Sequence, residues 1–259
     1  MCPRGTKRVA NDERWGLGVC FSSTASFTAA AVLAPAGVVS VARAWRGDRR
    51  FLALATLPLL FSIQQMLEGL VWRSGAIGDV AGIARYSLGY MFFSWLAWPV
   101  WVPFATYFLE PARRRPLYLV FAIAGGVLGG LQYVPYFIHE SWLVTRFLTH
   151  AISYQGVQLL DLVIGREATY AIYLIVVIGP LLLSTERDAK LFGVLVSLVL
   201  VTTYAFFQFA YVSVFCFGGA LMSLYLVWRP FSSGRTGHDA GRTLRLPARA
   251  VASTEGRSG

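Results

Sequence analysis

The chain has 259 residues, 56% of them apolar and only 14% charged, with a mean hydropathy of +0.57 and a formal net charge of +10. A water-soluble domain carries about a quarter charged residues, so lipid is the solvent of most of this chain and a soluble globular enzyme is excluded. Cys2, Cys20 and Cys216 are too few for a disulfide scaffold and lack the CxxC or Cys/His spacing of a zinc site.

A hydrocarbon core about 30 Å thick takes about 20 apolar residues in a helix. Hydropathy and punctuation place seven such stretches: Phe21 to Ala44, Phe51 to Trp72, Tyr86 to Leu109, Leu117 to Ile138, Ala168 to Ser184, Leu191 to Phe209 and Val212 to Trp228. The fold class expected is all-α, a polytopic transmembrane bundle of seven spans. It comprises a polar extension over 1–18, a membrane domain over 19–229 and a Gly, Ser, Arg and Pro-rich tail over 230–259, read as disordered. The stretch from Leu191 to Trp228 has no charge and no proline, but its length suits two spans with a tight turn near Gln208 to Tyr211.

Arg and Lys set the orientation. The loops after the first, third and fifth spans and the C-terminal tail carry 15 basic residues against 8 on the other side. The positive-inside rule then puts the N-terminus outside and the C-terminus in the cytoplasm of a bacterial plasma (inner) membrane. On this count the basic excess is a topology signal and not the footprint of a nucleic acid. The N-terminal tail dissents, because Arg4, Lys7, Arg8 and Arg14 would prefer the inside. It can be an outer extension, part of a signal peptide cleaved at Ala42-Arg43-Ala44, or an upstream stretch preceding a true start at Val19. The last reading is preferred, since it lowers the outer count to 4.

Taken in chain order, the first span opens on Cys20 at the outer face. The second holds Glu68, the one acidic residue within a predicted span, with Gln64 a turn earlier on the same face and Gln65 beside it, a polar stripe ending at Trp72. A carboxylate at a helix centre costs roughly 2.5 to 3.5 kcal/mol, so it is usually paired, protonated or beside water. Three readings stand: a functional pocket, a structural pair with Arg73 or Arg85, or an interfacial carboxylate that snorkels over the four residues to the span's end.

The third span is dense in aromatics. Trp95, Trp98 and Trp101 share a broad face, and Pro99 and Pro103 are expected to kink it. This stripe can wall a flat or apolar ligand, or serve packing and interfacial anchoring. In the fourth span Gly125, Gly126, Gly129 and Gly130 give two overlapping GxxxG patterns, read as close helix contact. Pro35, Pro58, Pro135 and Pro180 break four other spans.

Residues 139–167 are too polar to span. With Trp142, Leu143, Phe147 and Leu148 on one side of a short helix, they suit an interfacial helix or outer lid, or an ordinary amphipathic connector. His139, Arg146 and His150 lie in this segment without the i,i+4 spacing of a metal pair, and His238 is in the tail. In the last span Cys216 is expected at the outer layer shared by Cys20 and Glu68. The two cysteines could be disulfide-linked, reactive or simply packed.

Val19-Cys20-Phe21-Ser22-Ser23-Thr24-Ala25-Ser26-Phe27, Gln64-Gln65-Met66-Leu67-Glu68-Gly69 with Trp72, and Ser213-Val214-Phe215-Cys216-Phe217 are the most distinctive stretches. Together they resemble an uncharacterised bacterial multi-pass membrane family whose members begin Met-Cys-Phe-Ser-Ala. The resemblance covers essentially residues 19–228. Relative to the family pattern Phe215 stands for Trp, Ser23 for Ala, and Gly218-Gly219 for bulkier residues. It implies a membrane bundle and no activity.

A retinal Schiff base is excluded, because the two lysines are Lys7 and Lys190 and neither is in a span. No histidine is intramembrane, which removes a zinc hydrolase of the seven-span kind. No metal or cofactor is called for. The leading expectation is a protein that binds or transports a small apolar or isoprenoid-like molecule in an outward-facing cavity, with Glu68, Gln64 and Gln65 providing polarity. Trp72, Trp95, Trp98, Trp101, Cys20 and Cys216 are the expected lining. The alternative is an intramembrane isomerase, cyclase or lipid-modifying enzyme with Glu68 as general acid or base. A structural partner in a larger membrane complex is the third.

Overall fold

Helix α1 (Ser23–Arg46) begins where the Ser22 hydroxyl accepts the Ala25 N–H, and carries Arg43 and Arg46 in its last turn, where cations offset the helix dipole. The computed structural model describes residues 22–139, 142–148, 151–156, 159–206 and 211–228. Cys20, His150, His238 and the two terminal segments lie outside the described residues.

Among the described residues six helical stretches are long and apolar enough to cross a membrane: Ser23–Arg46, Arg49–Ile77, Val80–Leu109, Arg115–Ile138, Arg166–Leu183 and Arg187–Phe206. They correspond to the first six expected spans. The second and third reach further toward each other than hydropathy predicts, and meet at a two-residue turn. There Gly78 ends the second with φ +71°, a left-handed conformation suited to glycine, and the Asp79 side chain accepts from Gly82 N–H to start the third. The seventh apolar stretch, Val212–Trp228, is shorter. As a helix it is about 26 Å long against a core of about 30 Å.

The second stretch is broken into α2 (Leu52–Ala55) and α3 (Leu57–Ile77), with Pro58 in the first turn of α3 and the Thr56 hydroxyl bonded back to the Ala53 carbonyl. The third is α4 (Val80–Met91), a π-helical segment Phe92–Ala97, and α5 (Trp98–Leu109). The expected proline kink therefore takes the form of a π segment. Pro99 has no N–H to give, and the Trp98 N–H reaches five residues back to the Phe93 carbonyl. The Ser94 carbonyl is left with neither an α- nor a π-type backbone donor, and the Tyr173 hydroxyl takes it.

Helix α6 (Arg115–Ile138) lies against this segment. A Cβ built on Gly125 would stand 1.8 Å from the Pro99 carbonyl oxygen, and one on Gly129 2.7 Å from that of Trp95. Gly130 faces open space and Gly126 meets nothing closer than 3.9 Å. Of the two overlapping GxxxG patterns, the Gly125/Gly129 pair makes the helix contact.

Helices α8 (Arg166–Leu183) and α9 (Arg187–Phe206) form the next antiparallel pair, and α10 (Tyr211–Ser223) with the short α11 (Tyr225–Trp228) packs beside α9, α3 and α1. At one end of the bundle Arg50 pairs with Asp48 at 2.7 Å and with Glu186 at 3.6 Å. That hydrogen bond holds the Asp48 carboxyl below the usual carboxylate range. At the same end the Tyr225 hydroxyl meets Asp188 and Arg43 donates to the Val227 carbonyl.

Glu110, the C-cap of α5, is 1% exposed there. It accepts from the Ser184 hydroxyl (2.6 Å), the Thr185 N–H (2.7 Å) and the Thr185 hydroxyl (2.8 Å), clasping the α8–α9 turn. The loops after the first, third and fifth spans, assigned to one side by charge, thus share one end of the molecule.

The opposite end is closed by the segment for which an interfacial helix or lid, or an ordinary connector, is expected. Instead Leu143–Phe147 (β1) and Ile152–Gly156 (β2) pair antiparallel, with Thr145 opposite Tyr154, and only the six-residue α7 (Leu159–Ile164) follows. Val144, Thr145 and Ile152 are β-branched, and Phe147 and Tyr154 aromatic, which favours strand pairing over the helix suggested by spacing alone. Residues Ile152, Ser153 and Tyr154 are buried in the bundle end, and the Thr145 hydroxyl bonds the Ser87 hydroxyl of α4 at 2.8 Å. The hairpin is a plug seated between helices and not an amphipathic helix lying on them.

Candidate functional site

Beneath the hairpin α1, α3, α4 and α10 converge. Gly69 of α3 has no room for a side chain against the Phe27 ring of α1, and this close approach sets Ser26 beside Glu68. Glu68 is 1% exposed and Gln64, Gln65 and Ser26 are wholly buried. The Glu68 carboxylate accepts a hydrogen bond from the Ser213 hydroxyl in the first turn of α10. Among the described residues Glu68 has no ion pair, and its Oε2 has no hydrogen-bond partner. Arg73 and Arg85, the expected structural partners, are exposed on the outside of their helices. Glu68 does not reach solvent at the end of α3 either, since the helix continues to Ile77 and Phe147 of the hairpin packs there on Trp72.

The polar stripe on α3 has two parts. One turn from Glu68, the Gln64 amide is engaged at both ends: it donates to the Ser94 hydroxyl at 3.0 Å and accepts from Trp98 Nε1 at 3.1 Å. Ser94 Oγ also lies 3.5 Å from Cys216 Sγ, which joins the π segment to α10. Around Glu68, in contrast, the buried Ser26 hydroxyl and Gln65 amide interact with its carboxylate without a well-formed hydrogen bond, the Tyr90 hydroxyl stands likewise against Cys216, and the Tyr154 hydroxyl is buried without a partner. Tyr90 of α4 and Tyr154 of β2 stack with ring centroids 4.9 Å apart, and both interact electrostatically with Glu68 and Cys216. Each buried polar group left unpaired costs about 1 to 3 kcal/mol, so a concentration of them around one carboxylate marks a site.

Of the residues expected to line a cavity, Gln64, Gln65, Trp98 and Cys216 gather around this level of the bundle. Trp95 packs on Tyr136 with centroids 4.7 Å apart, in the cluster that also holds Tyr90, Tyr154 and Cys216. Trp72 lies under the hairpin against Phe147, its Nε1 unpaired. Trp101 is further away, bonded through Nε1 to the Ala53 carbonyl and the Thr56 hydroxyl at the α2–α3 break. An apolar cavity of about 30 Å³ runs past Phe61, Trp98, Tyr173, Phe215 and Cys216.

The residues that sequence reading missed are Ser26, Tyr90, Ser94, Tyr154, Tyr173 and Ser213. Hydroxyls scattered through apolar helices carry no periodic signal of their own. Ser26 and Ser213 do fall in two of the three stretches that carry the family resemblance, and those stretches meet at Glu68: Ser26 and Phe27 from the first, Gln65, Glu68 and Gly69 from the second, Ser213 and Cys216 from the third.

A family model described as a family of unknown function (DUF6629) matches residues 19–240. The searches of curated proteins and of solved structures return no match.

Proposed function

The chain belongs to this family of unknown function, and we propose that it binds and carries a small molecule with an apolar body and one polar head at Glu68, beneath the hairpin. The observation that supports this most is Glu68 itself, buried, without a counter-charge among the described residues, and ringed by buried polar side chains from α1, α3, α4 and β2 that lack well-formed hydrogen bonds. An intramembrane carboxylate kept at this cost is a functional group by default. The apolar cavity beside Cys216 is about 30 Å³, room for about one water, so taking in the body of such a molecule requires the helices and the hairpin around it to move apart.

Mass spectrometry of protein purified in mild detergent tests the reading. A small molecule co-purifies with the wild type, and its affinity falls roughly 10- to 150-fold in Glu68→Ala, the loss of about 1.5 to 3 kcal/mol for a hydrogen bond to a charged group. Equal amounts in both proteins would refute it. The unpaired Glu68 Oε2 near two tyrosine hydroxyls also favours a second reading, an intramembrane enzyme with Glu68 as general acid or base. Under that reading Glu68→Gln retains unreacted substrate where the wild type releases product.

The proposed topology is seven crossings, α10–α11 being the short last one, with the N-terminus outside and the C-terminus cytoplasmic. Single cysteines at Arg113 and at Gly78, in a background with Cys2, Cys20 and Cys216 all replaced by Ala, check it. An impermeant maleimide added to whole cells labels the Gly78 position and spares the Arg113 position; the reverse pattern inverts the topology.

A further inference from the structure

The three loops that meet at the Glu110 end of the bundle, 43–50, 110–115 and 186–190, hold nine basic residues against four acidic ones. All four acids are already engaged: Asp48 and Glu186 by Arg50, Glu110 by the Ser184–Thr185 turn, and Asp188 by the Tyr225 hydroxyl. The side chains of Arg46, Arg49, Arg113, Arg114, Arg187 and Lys190 are exposed and make no hydrogen bond or ion pair among the described residues. Arg49 is nonetheless held in place, its guanidinium 4.6 Å over the ring of Trp45. Stacking occupies the face of the guanidinium and leaves its in-plane N–H groups to donate. Trp45 is 58% exposed, and behind it Ala42, Val38, Pro35 and Val32 continue an exposed line along α1 at spacings of three and four. Leu33, Gly37, Ser40 and Ala44 take the inward side of the same helix.

We infer that this corner of the bundle binds an anionic glycerophospholipid, its phosphate on Arg46 and Arg49 and an acyl chain along the exposed line of α1. Charge complementarity selects the headgroup. An arginine fork matches two phosphate oxygens, and no carboxylate nearby competes for it, because each is spent inside the protein. The apolar line selects a lipid over a soluble phosphate, which would use the arginines and leave Trp45, Val38 and Val32 uncovered. A tryptophan at the boundary between such a line and a pair of arginines stands where the headgroup level of a bilayer lies. The opposite end has no such excess: residues 73–85 and 142–167 carry four basic residues and three acidic ones, and Arg166 is paired with Asp161. The site is at the end of the bundle away from the hairpin, and it is independent of what Glu68 binds.

Two measurements on the full-length protein in mild detergent test this. The first is native mass spectrometry with phosphatidylglycerol and phosphatidylcholine of identical chains added in equal amounts. The wild type retains phosphatidylglycerol in preference. Arg46→Gln and Arg49→Gln each weaken its retention roughly fivefold, while Arg73→Gln with Arg85→Gln, at the other end, leaves it unchanged. Equal retention of the two lipids by the wild type overturns the site, and so does an undiminished preference in the Arg46→Gln and Arg49→Gln proteins. Displacement of the lipid by soluble glycerol phosphate at the same concentration overturns the lipid assignment, since the phosphate alone then suffices. The second measurement needs no variant: phosphatidylglycerol with a photoreactive acyl chain is irradiated with the wild type, and the labelled peptides are identified. Labels fall within Ser23–Arg46; labels confined to other helices overturn the proposal.

Discussion

Gly125→Ala is expected to cost more stability than any other single-methyl substitution in the fourth span, and Gly130→Ala next to nothing. The added Cβ at Gly125 would sit 1.8 Å from the Pro99 carbonyl oxygen. That atom belongs to the backbone and cannot swing away as a side chain would. Helix α6 must separate from the π segment, opening the contact that runs on through Gly129 to the Trp95 carbonyl. Overpacking a core costs about 1 to 3 kcal/mol when side chains can adjust, and a rigid obstacle puts this case at or above about 3 kcal/mol. Against a total stability of roughly 5 to 15 kcal/mol, that is enough to lower the yield of folded protein. Thermal melting of the two variants in the same detergent decides the matter, because both add one methyl to one helix. Equal melting temperatures would show that the α6 contact is not where the structure puts it. The same substitution disturbs the π segment that presents Ser94 to Gln64 and Cys216, so its effect extends to the polar contacts one turn from Glu68.

The second large effect is expected at Glu110. Its carboxylate receives two hydroxyls and one backbone N–H from the α8–α9 turn, and it is as buried as Glu68. In Glu110→Ala the three donors lose their acceptor together. With about 1 to 3 kcal/mol for each buried group left unsatisfied, and some recovered by water reaching the bundle end, a loss of about 3 kcal/mol or more follows. Thr185→Val removes one hydroxyl donor only and should cost about 1 kcal/mol. A Glu110→Ala protein that melts within about 1 kcal/mol of the wild type would mean that the clasp contributes little. The two buried carboxylates therefore differ in kind. Glu110 has a well-formed donor on each oxygen and holds two helix pairs together, while Glu68 has one, from Ser213, and neighbours in Ser26 and Gln65 whose hydrogen bonds to it are poorly formed.

That contrast also shows where sequence reading succeeds and where it stops. Glu68 is legible because an acidic residue inside an apolar window is conspicuous whatever surrounds it. Glu110 sits in a charged cluster running to Pro116, and such a cluster reads as a solvated loop; only the Ser184–Thr185 turn, distant in sequence, buries it. The Gly125/Gly129 contact is half legible. The spacing announces a close approach, but which of two overlapping pairs makes it depends on the rotation of α6 about its axis. The hairpin is misread because its apolar residues satisfy a helical spacing and a strand alternation at once. The choice falls to the pairing of β1 with β2 and to the gap that Ile152 and Tyr154 fill.

Hydropathy summed over about 20 residues, and the placing of arginines between such stretches, are local quantities. The sequence by itself therefore determined a helical bundle suited to a membrane, six of its seven expected spans with ends displaced by up to about six residues, and Glu68 as the residue to explain. Tertiary structure alone decided what Glu68 faces. Ser26 precedes it by 42 positions and Ser213 follows it by 145. Their meeting depends on a glycine with no room beside Phe27, on a π segment forced by Pro99, and on a hairpin that covers them. Each is a contact between segments far apart in the chain, and no window along the sequence contains both partners.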